Sequence, residues 1–540
     1  MEIDQTLYGA VNSAAKRYPR LNALYYKGRN ITYSATLREI DALAAGLSRA
    51  GIKRGDVVTV CMPNVPESIY ALYAVNKLGA VAHMVHPLAP AAQLKRFMEK
   101  AGSRLLFVLN IALKDYAELA DCVQLGIVSV SPARSLGRLK RKAYDFINRA
   151  DIVKGGGIRD YDAVTVKRGA SEAAPYESGR TAVYLHSGGT GGEPKVIELS
   201  DMAVNALASR VPDILDFMDR LEGTAMLAVL PMFHGFGLAM GVHAPLCYGA
   251  VSALMPKFST RETIKLISEG KLNYLIGVPA LYEALLRKPE FSGEKLKNIR
   301  IAFIGGDCVM PDLLDRFDAR MREGGSGARL FEGYGLTETV TVCNVNLFSA
   351  NRAGSVGKPL PGLECVILGS DGAVLEAGET GEICIAGDTL MNGYLNDAAA
   401  TAEAFTELGG KKFVRTGDAG YLDADGYLYF RQRIKRIIKI AGVSVYPSEI
   451  EAAAGALGGG ITEACAIEGK RDGKTVIELY LVSSFAPGER LSAEAVRDGI
   501  CKALGKYAVP SKVEYLDRLP KTLINKVDVN ALKRLTGGEQ

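Results

Sequence analysis

The sequence predicts an α/β fold divided into at least two domains, and three observations lead there. The chain has 540 residues, too many for one hydrophobic core. Apolar, β-rich runs alternate with helical patterns through most of its length, as parallel sheets covered by helices require. Near Gly354 that texture gives way to short strands broken by Gly, Pro and Asp.

In chain order, Val57–Met62 reads as a buried strand and Glu67–Leu78 as a helix, followed by a strand over Val81–Val85. Arg104–Leu109 is a further continuous apolar run of strand length. From Gly354 to Phe430 the Asp371-Gly372 and Asp425-Gly426 pairs mark hairpin turns in a β-rich subdomain. Beyond Arg433 about a hundred residues of α/β texture remain, an ordinary size for a separate domain.

Residues 134–147 stand apart. Arg134, Arg138, Lys140, Arg141 and Lys142 accompany Leu136, Leu139, Ala143, Phe146 and Ile147, which share a helical face. Such a helix fits a membrane surface. The commoner outcome for this pattern is a solvated helix packed on its own domain, and that is the expectation here.

Composition narrows the function. Hydrophobic residues make up 48% and charged residues 23%, an ordinary globular balance, and the net charge of +5 gives no reason to expect nucleic acid. Nine cysteines lie singly, without a C-x-x-C pair. That pattern predicts reduced thiols in a cytoplasmic protein and argues against a zinc site. The start, Met1-Glu2-Ile3-Asp4-Gln5, lacks the basic-then-apolar pattern of a secretory signal. No run of eighteen apolar residues occurs, so membrane contact is expected to be peripheral at most.

The strongest local signal is Tyr184-Leu185-His186-Ser187-Gly188-Gly189-Thr190-Gly191-Gly192-Glu193-Pro194-Lys195. A β run opens into glycines that let backbone N–H groups approach a phosphate, while Ser187, Thr190 and Lys195 add donors and charge. It is not a Walker A loop, which needs Lys directly after Gly and then a hydroxyl residue. Alone, such a stretch reads equally well as a flexible loop.

Its company decides. Downstream follow Leu230-Pro231-Met232-Phe233-His234-Gly235-Phe236-Gly237, Gly277-Val278-Pro279, Gly305-Gly306-Asp307-Cys308 and Glu332-Gly333-Tyr334-Gly335-Leu336-Thr337-Glu338-Thr339. Then come Gly381-Glu382, Asn392-Gly393-Tyr394, Arg415-Thr416-Gly417-Asp418, Arg433-x-Lys435, Ile438–Gly442 and Pro520–Lys526. This ordered set resembles the motifs of the adenylate-forming superfamily of acyl-CoA synthetases, adenylation domains and luciferases. The resemblance covers essentially the whole chain.

The resemblance implies a large N-terminal domain, 1–432, of two αβ subdomains and a β-rich one, and a mobile α/β lid, 433–540. It implies a carboxylic acid activated by ATP and Mg2+ as acyl-AMP, then delivered to coenzyme A or to an acyl carrier protein. Ser187, Gly188, Gly189, Thr190, Gly192 and Lys195 would hold the outgoing phosphates, Thr337 the α-phosphate, and Glu338 the magnesium ion. Tyr334 would stack on adenine, with Glu332, Gly333 and the Gly306-Asp307-Cys308 turn forming the rest of the adenine side. Asp418 would bind the ribose hydroxyls and Arg433 the ribose and phosphate. Lys526 would bridge the substrate carboxylate and the α-phosphate, Lys521 being a decoy. His234 would sit beside the acyl pocket, Lys435 at the hinge, and Gly442 along the pantetheine tunnel. His83, His86, His186 and His243 are read as structural.

Some positions depart from the pattern. Gly191 stands where a second threonine is usual, and Val196, Gln432 and Asn525 stand where glycines are common. Val527-Asp528-Val529 replaces a stretch that often carries Arg. No charged catalytic group is lost, so activity is expected rather than an inactive binding paralogue. His234 replaces the aspartate that meets an amino-acid substrate, and there is no tryptophan of the kind that closes the pocket on short acids. The wall expected from Phe233, Gly237, Val278, Gly305, Gly333, Gly335 and Thr339 reads as open and apolar, which favours a medium- or long-chain fatty acid over an aromatic one.

Overall fold

The computed structural model describes residues 1–148, 155–166, 169, 171–187, 194–215, 221–307, 309–440, 443–471, 474–521 and 527–536. The chain divides into two compact units. One comprises the described residues of Met1–Ser187, Pro194–Glu364 and Ile385–Val414; the other comprises those of Cys365–Cys384 and Arg415–Gln540.

The larger unit is built on two sheets, and the predicted elements take their places in them. Strand Val57–Cys61 lies between Val81–Met84 and Ser103–Leu109, all parallel, with helix Pro66–Lys77 connecting the first two. Thr181–His186 extends this sheet in parallel next to Val81–Met84, and Val196–Ser200 returns antiparallel beside it. Gly393–Tyr394 then pairs with Val196–Ser200 at the sheet's edge.

In the other sheet Tyr274–Gly277, Ile301–Ile304 and Leu330–Gly335 run parallel side by side. Gly277 pairs with Ile304, and Ile304 with Glu332. The segments after these three strands therefore leave the sheet together at its carboxyl edge, where open α/β sheets bind ligands. Continuous β-branched and aliphatic runs form these strands because both faces are covered: Leu275, Ile276, Ala302 and Ile304 are at most 1% exposed.

The smaller unit has its own core. Antiparallel strands Ile461–Arg471 and Lys474–Ser483 carry Leu479 and Leu481 against Ile450, Val496 and Ile500 of two helices. The predicted turn at Asp425-Gly426 joins Lys411–Leu422 to Leu428–Arg433, with Gly426 at a φ of 81° that a side chain would strain. Asp371-Gly372 likewise turns the chain between the bridged residues Leu368 and Val374.

One expectation fails. Arg138–Ile147 is a helix, but Leu139, Phe146 and Ile147 are 85%, 80% and 76% exposed. The opposite side fastens it, through Arg141 to Asp162 at 2.6 Å and the Tyr144 hydroxyl to Asn110 at 3.1 Å. Its apolar stripe is not packed on its own domain. No helix among the described residues is long and apolar enough to cross a membrane.

Candidate active site

The glycine-rich loop is held at its neck. The Ser187 amide donates to the Lys195 carbonyl at 2.9 Å, and the Lys195 amide donates to the Ser187 hydroxyl at 3.0 Å. Gly188, Gly189, Thr190 and Gly192 lie outside the described residues. Val196, where a glycine is common in the resembling family, is fully buried at the start of the returning strand.

Lys195 places its ammonium 4.5 Å from the centre of the Tyr394 ring. The Tyr394 hydroxyl in turn donates to Glu338 Oε1 at 2.9 Å, and the Met391 amide donates to the Glu338 carbonyl at 2.8 Å. The edge strand Gly393–Tyr394 thus ties the phosphate-loop lysine to the acidic residue of the downstream motif. Sequence reasoning quoted Tyr394 within a motif but gave it no role; its pairing with Ile197, two residues beyond Lys195, supplies one.

Glu338 sits in the tight turn Thr337–Thr339, closed by the Thr339 hydroxyl on the Leu336 carbonyl at 3.0 Å. Val340 follows at a φ of +65°, an uncommon conformation for a β-branched residue and a mark of strain held by its surroundings. Those surroundings are backbone. A Cβ on Gly235 would lie 1.5 Å from the Val340 carbonyl oxygen, and one on Gly335 would lie 1.6 Å from that of Thr341. The segment carrying His234 is therefore pressed directly on the Thr337–Val340 turn.

The same measurements correct the expectation of an open wall. Gly237 faces the Pro231 carbonyl at 2.1 Å from the Cβ it lacks, and Gly305 faces that of Gly333 at 2.8 Å. These glycines admit neighbouring backbone, not substrate. A small apolar cavity lies beside the helix Phe236–His243, lined by Met240 together with Met226, Tyr248, Tyr274 and Phe303. The buried Tyr274 hydroxyl has no hydrogen-bond partner among the described residues.

His234 begins that helix, its carbonyl accepting from the Leu238 amide at 2.9 Å and its ring 4.9 Å from Phe233. Leu230-Pro231-Met232 is pinned by buried Asn64, which donates to the carbonyls of Ala228 and Leu230 and accepts from the Met232 amide. Three of the four histidines read as structural are held among other side chains. His83 and His186 face each other, Nε2 to Nε2, at 2.8 Å. Burial lowers the pKa of both, that of His186 to about 4. His243 is buried between Tyr73 and Asn205, and burial lowers it to about 3.

On the adenine side, Glu332, Gly333 and Tyr334 emerge beside Gly306 and Asp307; Cys308 lies outside the described residues. Gly306 takes a φ of +81°, a glycine conformation, where the chain leaves its strand. Burial pushes the Glu332 carboxyl up to about 7. Asn344 pairs across from Tyr334, so the two side chains share a face of the sheet. Asn344 is fully buried, and neither end of its amide has a hydrogen-bond partner among the described residues. Buried amides are normally satisfied, so this pair of unmet groups is a local cost to stability. The sequence signal for it was slight: one polar residue inside Val342-Cys343-Asn344-Val345.

Among the described residues no three His, Cys, Asp or Glu side chains gather as a metal site. A lone oriented carboxylate such as Glu338 suits magnesium, which keeps waters and substrate phosphate oxygens as its other ligands.

In the smaller unit, Asp418 and Arg433 are register partners on adjacent strands, with Arg433 Nε 3.0 Å from Asp418 Oδ1. Arg433 also donates to the Thr416 carbonyl at 3.0 Å, and the Asp418 amide donates to the Thr416 hydroxyl at 3.1 Å. Gln432 is buried beside them, accepting from the Ser448 amide. Lys435 is exposed in the short turn Ile434–Arg436 directly after this strand. Gly442 lies outside the described residues.

Lys526 also lies outside the described residues, but its loop is bounded: Lys521 and Val527 form a β-bridge, and the Asp528 amide donates to the Pro520 carbonyl at 2.8 Å. Lys521 is occupied by an ion pair with Glu463 at 2.6 Å.

Comparison with known proteins finds similar chains and folds. The family model described as AMP-binding enzyme matches residues 11–395. A long-chain-fatty-acid–CoA ligase of Bacillus subtilis is 28% identical over 97% of this chain and 93% of its own. A 4-coumarate–CoA ligase of Humulus lupulus is 27% identical over 93% of this chain and 88% of its own. Among solved structures, ATP-bound MatB from Rhodopseudomonas palustris superposes with a TM-score of 0.85 at 23% identity, covering 99% of both chains. The o-succinylbenzoate CoA synthetase of Bacillus subtilis, in complex with its acyl-adenylate intermediate, gives 0.78 at 25% identity, again covering 99% of both.

Proposed function

The chain belongs to the AMP-binding enzyme family, and from that premise we propose that it is an ATP-dependent acid–CoA ligase. A carboxylate oxygen attacks the α-phosphorus of ATP, pyrophosphate leaves, and acyl-AMP forms; the thiol of CoA then takes the acyl group and AMP leaves. The observation that carries this reading is the track from Lys195 through Tyr394 to Glu338. It spaces a cation and a magnesium-suited carboxylate along one edge, as an attack of anion on anion needs.

Within this reading Ser187, Gly188, Gly189, Thr190, Gly192 and Lys195 hold the departing phosphates, and Thr337 holds the α-phosphate. Glu338 holds magnesium, which supplies charge neutralisation when bound. Tyr334 stacks on adenine near Glu332, Gly333 and the Gly306–Cys308 turn. Asp418 takes the ribose hydroxyls, with Arg433 beside them. Lys526 neutralises charge at the reacting centre, and His234 borders the acyl site. Residues 433–540 act as the lid, turning at Lys435 so that Gly442 borders the thiol's path in the second step.

The acid is a medium- or long-chain fatty acid. The wholly apolar and aromatic lining of the small cavity beside Met240, with no charged group in it, supports this. Tyr248 and Tyr274 in that cavity favour an aromatic acid as the second reading.

The test is carboxylate-dependent ATP–pyrophosphate exchange with acids of increasing chain length and with cinnamic acids, repeated as thioester formation with CoA. Exchange and thioester with fatty acids are expected. Exchange without thioester would point to a carrier protein as acceptor, and no exchange with any acid would overturn the proposal.

A further inference from the structure

The exposed stripe on Arg138–Ile147 calls for an occupant, and its chemistry specifies one. At 3.6 residues per turn, Leu139, Ala143, Phe146 and Ile147 span an arc of about 100°. All four are exposed. Lys142 falls at one rim of that arc and Lys140 at the other, and both are exposed too. Arg141 and Tyr144 point the other way and fasten the helix to Asp162 and Asn110. Arg134, just before the helix, is spent on Glu39 and Asp162. Arg134 and Arg141 are thus structural, while Lys140 and Lys142 flank the apolar arc.

We propose that this helix lies on an anionic lipid surface, with Leu139, Phe146 and Ile147 entering the acyl boundary and Lys140 and Lys142 meeting headgroup phosphates. An amphipathic helix with large apolar side chains between lysine rims lies in the interface plane. Lysines snorkel from such a position to the phosphates. A second copy of the chain is a poor occupant. Both rims carry lysine, so a copy laid on the stripe in either direction would set lysine against lysine. The inference is independent of which acid the enzyme activates.

The test uses the full chain at low salt with phosphatidylcholine vesicles, either pure or containing about one third phosphatidylglycerol. Sedimentation with the anionic vesicles, weak with the neutral ones and falling as salt rises, is the expected result. Leu139→Glu/Phe146→Glu is expected to abolish it. Lys140→Gln/Lys142→Gln is expected to lower partition about 25-fold, roughly fivefold for each charge. These lysines are exposed, so the second variant keeps its fold and carries the test even if the first does not. Absence of anionic-vesicle binding, or binding that survives the lysine changes, would overturn the proposal. So would a concentration-dependent dimer that Leu139→Glu/Phe146→Glu separates while vesicles bind neither form.

Discussion

The Tyr394 hydroxyl holds Glu338 Oε1 at 2.9 Å while the Tyr394 ring underlies the Lys195 ammonium. One aromatic residue on a two-residue edge strand therefore sets the orientation of both charged groups. Tyr394→Phe keeps the ring under Lys195 and removes the bond to Glu338. Pyrophosphate exchange should fall about tenfold, as for one lost hydrogen bond to a charged group, and the magnesium requirement should rise. Glu338→Gln should cost more, on the order of 10²–10³. Exchange rates across a magnesium titration check both.

Asn344 yields a prediction in which stability and function separate. Its buried amide has no partner among the described residues, so Asn344→Leu should leave the melting temperature unchanged or raise it. Because the side chain is closed off from any ligand space, the same variant should leave KM for ATP unchanged. A raised KM would instead assign Asn344 a part in nucleotide binding.

Glu332 sets a pH dependence. Its folded pKa, about 7, lies above the ordinary value of 4.5 because burial penalises the charge. The folded state therefore binds more protons than the unfolded one between those values, and stability falls as pH rises through them. The contribution is whole below about pH 4.5 and lost above about pH 7. Melting curves of wild type and Glu332→Gln from pH 5 to 8 should diverge as pH rises, the variant losing less.

Lys526 and Lys521 should behave oppositely. Lys526→Ala should reduce exchange by 10²–10³ or more with ATP binding retained. Lys521→Ala removes the pair with Glu463 and should change exchange less than threefold, a half-exposed ion pair contributing little. Exchange and equilibrium ATP binding on both variants distinguish them.

Asp418→Asn should weaken nucleotide binding about tenfold or more, because an amide cannot accept from two ribose hydroxyls as a carboxylate does. It also strips Arg433 of its 3.0 Å partner. Binding of a fluorescent ATP analogue, measured alongside thermal unfolding, separates the two effects.

Much of this was legible in the sequence. Val57–Cys61, Val81–Met84 and Ser103–Leu109 stood out as strands because both faces are buried and turn residues bound them. The Tyr334–Glu338 segment stood out by its company. What stayed hidden depends on who the neighbour is. Periodicity showed that Leu139, Phe146 and Ile147 share a face, but not that the fold leaves it bare. Glycine at 235, 237, 305 and 335 announced missing side chains without telling whether substrate or backbone fills the space. Asn344 and Tyr394 acquire meaning only from strand pairings distant in sequence.

The close approach of Gly235 to Val340 and of Gly335 to Thr341 also bears on how such an enzyme changes its diet. Any side chain introduced at those glycines must displace main chain next to Glu338, so such changes would damage catalysis before altering substrate choice. Met226, Met240 and Phe303 carry no such constraint, because their side chains border the cavity. On the proposed function, retargeting would therefore run through those three positions, where size and shape can vary without pressing on the main chain beside Glu338.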